Sequence, residues 1–68
     1  MKDLRSDLLE AFREHARGHI EKHRMNVEVL VNNPVGTGEN SDIIEQIEQE
    51  MREIADYHDL LEVSEKYF

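Results

Sequence analysis

Glu14-His15-Ala16-Arg17-Gly18-His19-Ile20-Glu21-Lys22-His23 carries three of the four histidines of the chain, at i, i+4 and i+8. That spacing stacks side chains along one side of an α-helix. At about 100° of rotation per residue, Phe12, Ala16, His19, His23 and Leu30 fall in one narrow stripe, which points His19 and His23 toward a core. The helical pattern extends in both directions, through Leu4, Leu8, Phe12, Ala16, Ile20, Val27 and Leu30, and predicts a helix over residues 3–32. Gly18 in its middle costs about 1 kcal/mol relative to alanine. The β-branched run Val27-Glu28-Val29-Leu30-Val31 has strand character, but a lone strand in so short a chain has no partner to pair with.

Asn32-Asn33-Pro34-Val35-Gly36-Thr37-Gly38-Glu39-Asn40 ends that helix. Pro34 removes a backbone donor and biases Asn33 away from helical geometry, while two glycines and three asparagines supply turn chemistry. The expected loop is 33–41, with Ser41 or Asp42 as the next cap and Asp42 and Glu45 at capping-box spacing. A second helix is expected over 42–67. Its stripe is read as Ile43, Ile47, Met51, Ile54, His58 and Leu61, with Ile44 and Ala55 on one edge and Tyr57 on the other. The predicted fold is all-α: one domain over residues 1–68, an antiparallel hairpin of two long helices.

A hairpin alone leaves much apolar surface wet. On the first helix the apolar positions reach from Ala11 and Val29 on one side to Val31 on the other, and Ala11, Gly18 and Met25 recur every seven residues on a flank. Two of these are small enough for close helix approach. The expectation is a homodimer forming a four-helix bundle, with Ala11, Gly18, Met25 and Val29 at its interface.

Composition narrows the function classes. The 68 residues hold no cysteine, which removes disulfides and thiolate metal sites. No apolar run approaches the roughly 20 residues of a membrane span, and the first residues lack a signal-peptide core, so the expected location is cytoplasmic, with no membrane partner. The net charge of −8 is uneven: residues 1–24 carry six Lys/Arg against five Asp/Glu, whereas Arg52 and Lys66 face eleven acids thereafter. That argues against nucleic-acid binding, which needs clustered cations. It leaves a solvated acidic face, or an acidic decoy that binds a basic host protein.

Two motif-like stretches fail on their chemistry. Pro34-Val35-Gly36-Thr37-Gly38-Glu39-Asn40 is similar to the phosphate loop of ATPases, but Glu39 and Asn40 stand where that loop needs lysine and a hydroxyl. Glu45/Glu48 and Glu53/Asp56 resemble the paired magnesium carboxylates of all-α nucleotide pyrophosphohydrolases, where the pairs lie on different helices. Here both sit on one helix and largely face away from its apolar stripe.

The histidines give one metal hypothesis. Folding the hairpin so that residue numbers across the contact sum to about 74 brings His15 and His19 toward Ala55, His58 and Glu62. Three imidazoles and a carboxylate (His15, His19, His58, Glu62) match the ligand preference of zinc, the cofactor such a set would take. The plainer reading is histidines at a core edge with ordinary hydrogen-bond partners. With no cysteine and no serine near a histidine in that register, no nucleophilic enzyme is expected and no catalytic residue is assigned.

The runs His19-Ile20-Glu21-Lys22-His23, Met25-Asn26-Val27-Glu28-Val29 and Asn32-Asn33-Pro34-Val35-Gly36, with the ending Leu61-Glu62-Val63-Ser64-Glu65-Lys66-Tyr67-Phe68, resemble small proteins of tailed phages that infect marine bacteria. The resemblance runs from His15 onward and implies no activity. It implies a protein that works in the host cytoplasm by contacting other proteins during infection.

Overall fold

The computed structural model describes residues 3–32 and 40–68, and the side chains of 40–42 fall outside that description. Residues 33–39 of the expected loop, with most of its phosphate-loop look-alike, lie outside the described residues; Ser41 and Asp42, expected to cap the second helix, lie inside that helix. Two helices account for the rest: α1, Leu4–Asn32, and α2, Asn40–Tyr67. They pack along their length as an antiparallel all-α hairpin, as the sequence implied, with α2 opening two residues earlier than expected. The first helix begins where Asp3 caps it: the Ser6 amide donates to Asp3 Oδ1 at 2.7 Å, and the Asp7 amide to the Asp3 carbonyl at 3.1 Å. The Ser6 hydrogen bonds hold the Asp3 carboxyl below its ordinary pKa.

The contact between the helices follows a strict alternation of four and three residues. On α2, every residue from Ile43 onward that is not exposed lies on one such row: Ile43, Ile47, Glu50, Ile54, Tyr57, Leu61 and Ser64. On α1 the matching row is Leu9, Phe12, Ala16, His19, His23, Asn26 and Leu30, flanked every seven residues by Arg13, Ile20 and Val27. A mean step of 3.5 residues keeps one row facing the partner over the full length, as in coiled coils. Ala16 is fully buried; beside it only Ile43 is a buried apolar residue among those described.

This spacing corrects the expected stripe of α2. A straight 3.6-residue repeat drifts by about 20° per heptad, so a stripe drawn with it from Ile43 slips by one residue after two turns. Met51 is 53% exposed and His58 is exposed, while Glu50 and Tyr57 take the inward places. The axial register comes out as expected: Arg13 meets Ser64, His19 meets Tyr57, and His23 meets Glu50. Leu4 and Leu8, read as part of the core stripe of α1, are 73% and 61% exposed and lie off the row.

At the open end of the hairpin, arginines of α1 replace an apolar core. Arg13 Nη2 donates to the Ser64 carbonyl at 2.6 Å and its Nε to Ser64 Oγ at 3.2 Å, and Ser64 Oγ donates to the Leu61 carbonyl at 2.7 Å. Arg5 donates to the Phe68 carbonyl at 3.0 Å, and Arg17 lies 3.5 Å from Glu65. The last carbonyls of α2 have no partner within their own helix and carry its negative dipole end, so Arg13 satisfies one of them at Ser64 and Arg5 reaches the carbonyl just beyond the helix at Phe68.

The inward position of Tyr57 and the outward one of His58 set a direct comparison. Tyr57→Ala lowers the unfolding free energy by about 1–2 kcal/mol through lost apolar burial. His58→Ala changes it by less than about 0.5 kcal/mol. Urea titrations of the two variants check this, and the 3.6-residue stripe requires the opposite order.

Candidate functional site

The chemistry-bearing side chains of the hairpin form a ring column on α1. The centroids of Phe12 and His15 are 6.3 Å apart, those of His15 and His19 4.5 Å, and those of His19 and His23 6.1 Å. Tyr57 of α2 stacks on His19 at 4.3 Å, with planes 10° apart, and meets His15 edge-on at 5.9 Å. One turn toward the loop, His23 Nδ1 lies 2.7 Å from Glu50 Oε2. An ionised carboxylate only accepts, so Nδ1–H is the donor. Asn26 Nδ2 donates to the other oxygen of Glu50 at 2.8 Å, and Glu53 stands 3.8 Å from His23 Nε2.

The proposed metal set does not assemble. The structure brings His15 and His19 together, and separately His58 and Glu62, whose Nε2 and Oε1 are 3.0 Å apart on an exposed face. Between the two pairs stands Tyr57, which took the inward position assigned to His58. Among the described residues no three His, Asp or Glu side chains are arranged to hold a metal ion. Of the acidic pairs, Glu48 bonds Arg52 at 2.5 Å on its own helix and Glu53 reaches toward His23.

The two histidines of the inner row differ in kind. His23 is matched by Glu50. His19 Nδ1 is buried without a hydrogen bond, and a buried ring lacking a partner resists a second proton. Loss of water is the largest cause holding the His19 pKa below its ordinary value; the positive fields of His15, Lys22 and His23 add to it and Glu53 opposes it. Glu50 is also held below its ordinary value, first by the His23 hydrogen bond and further by Asn26, against the effect of burial.

The sequence pattern leaves out Glu50, Asn26, Arg13 and Ser64, and has Tyr57 only at the edge of the stripe of α2. A four-three row drawn from Ile43 finds three of them, and the same row on α1 finds Asn26. Arg13 lies on the flank of that row, and its spacing of seven from Ile20 and Val27 is the available signal.

The expected interface residues occupy a second row. Leu4, Leu8, Ala11, His15, Gly18, Lys22, Met25 and Val29 repeat the four-three spacing one residue before the inner row, and all eight are exposed. A Cβ built on Gly18 meets nothing within 4 Å, and the dent there is lined by Glu14, His15, His19 and Lys22. Nothing in this chain requires glycine at position 18. At the loop end, an open groove joins Val29 and Leu30 of α1 to Gln46, Gln49 and Glu53 of α2, which shows that the second row and these α2 residues share one side of the hairpin. Continued along α2 at three-four spacing, that side carries Asp56, Leu60, Val63 and Tyr67, all exposed.

No family model, no curated protein and no solved structure matches the chain. No helix is long and apolar enough to cross a membrane, among the described residues.

The depressed values of His19 and Glu50 fix the sign of a pH dependence. The unfolded chain binds the His19 proton more readily than the fold does, so that contribution is complete above about pH 6.5 and is lost as pH falls below it. Glu50 contributes above about pH 4.5 and is lost as pH falls further. Melting temperature therefore declines from pH 8 to 5, with a second decline in stronger acid. His19→Leu removes the first and keeps the second; a wild-type melting temperature that rises on acidification to pH 5 contradicts the assignment.

Proposed function

We propose that the protein is a non-enzymatic, homodimeric helical module that acts through protein contacts, with the second row of α1 as its interface. The observation that carries this reading is the shape of the hairpin. It measures 53 × 20 × 12 Å, which is one helix thick in its smallest dimension. Folded domains bury each apolar face against a further layer, and here there is none. The chain exposes 5346 Å². A compact monomer of 8.0 kDa exposes about 4,450 Å², so roughly 900 Å² is in excess. That excess is close to the ~800 Å² which one partner contributes to a standard interface.

Charge selects α1 as the helix to be covered. From Leu4 to Asn32 five Lys/Arg stand against five Asp/Glu, whereas from Asn40 to Tyr67 Arg52 and Lys66 stand against nine acids. Setting the neutral helix at the contact, so that the acidic helix does not have to lie against its own copy, limits self-repulsion between copies. Gly18 supports the same choice. Its helix penalty finds no reason inside the chain, and an open dent at mid-helix suits close approach from outside.

Light scattering at micromolar concentration tests the reading. A mass of about 16 kDa is expected, twice that of the 8.0 kDa chain. Leu8→Glu, at a position 61% exposed in the hairpin, weakens association at least tenfold while the hairpin keeps its helix content. A wild-type mass near 8 kDa overturns the proposal.

A further inference from the structure

Resting on the dimer just proposed, we infer its orientation: the second copy lies with its loop at the same end, so that α1 of each chain packs against α2 of the other. The argument starts from where the shared side of the hairpin is apolar. At the open end, Leu4, Leu8 and Ala11 of α1 lie beside Leu60, Val63 and Tyr67 of α2. The five large residues among them are 73%, 61%, 46%, 45% and 65% exposed in that order. Toward the loop the α2 half of the same side turns polar, with Gln46, Gln49 and Glu53.

Two closed arrangements place this side against its own copy. If the loops lie at opposite ends, α1 lies along α1 and α2 lies along α2. That sets nine acids against nine and lays the apolar end of α2, with Leu60 and Val63, over the Gln46 and Gln49 end of the same helix in the other copy. If the loops lie together, the apolar end covers itself. Residue pairs at one height then sum to about 75, the register seen within the chain in His23–Glu50, Asn26–Glu50 and His19–Tyr57. Leu8 meets the partner's Tyr67, Ala11 the partner's Val63, and Lys22 the partner's Glu53. The neutral and acidic helices alternate around the bundle, which keeps the two acidic ones on a diagonal. Charge favours this second arrangement, and in it the apolar end of α2 is covered by Leu8 and Ala11 rather than by glutamines.

A single spin label separates the two. The chain has no cysteine, and Val31 is 52% exposed near the loop, off the second row, so Val31→Cys accepts a nitroxide without touching the contact. With loops together, the labels of the two chains sit across one bundle end, and pulsed electron resonance reads a separation under about 30 Å. With loops apart, the length of α1 puts them about 40 Å apart or more. A distance under 30 Å is the expected result. A distance of 40 Å or more overturns the orientation and leaves the dimer standing, while absence of any dipolar coupling at micromolar concentration overturns the dimer and the inference with it.

Discussion

Everything in this structure depends on one row of side chains per helix, spaced four and three residues apart, that holds α1 and α2 together. Two helices touching along a single line bury little, and this line is only half apolar. His19, His23, Asn26, Glu50, Tyr57 and Ser64 interrupt Leu9, Phe12, Ala16, Leu30, Ile43, Ile47, Ile54 and Leu61. Such polar places cost desolvation free energy, which hydrogen bonds largely offset at His23, Asn26, Glu50 and Ser64 and which His19 Nδ1 leaves uncompensated. They do set the register. Glu50 receives His23 and Asn26 at once, and Arg13 reaches both the hydroxyl and the carbonyl of Ser64. Sliding one helix by a turn would break both groups together.

The hairpin was legible in the sequence because its signals are local. Pro34 with its glycines and asparagines ends one helical pattern, and the spacing of Ile43, Ile47 and Ile54 begins another. Axial register was legible too, since an antiparallel hairpin fixes which heights meet. Rotation about the axis of α2 was not. An error of one residue in phase looks slight on a helical wheel, yet it exchanges Tyr57 for His58 and Glu50 for Met51. The choice between a 3.5- and a 3.6-residue repeat rests on small differences between polar residues that hydropathy scores alike. The metal hypothesis fell with that exchange, because it required His58 to point inward beside His15 and His19.

The uneven charge along the chain has an internal use. Arg5, Arg13 and Arg17, part of the nearly neutral first segment, lie against the carboxyl end of the acidic helix. The cations that composition alone assigns to one segment therefore serve the other. The acids of α2 divide between inward work, as at Glu50, and a solvated outer surface, as at Glu62. The neutral balance of α1 leaves its second row free of a strong field of either sign, which suits the proposed contact with the acidic helix of a second chain.

On the proposal that a second copy covers the exposed second row, the hairpin, a slab one helix thick held by a single contact line, draws much of its stability from association. Thermal melts across a hundredfold range of protein concentration test that claim most directly, because a fold that is stabilised by association gains stability by mass action. A melting temperature that climbs steadily with concentration is the predicted result. One that stays constant across the whole range would contradict it.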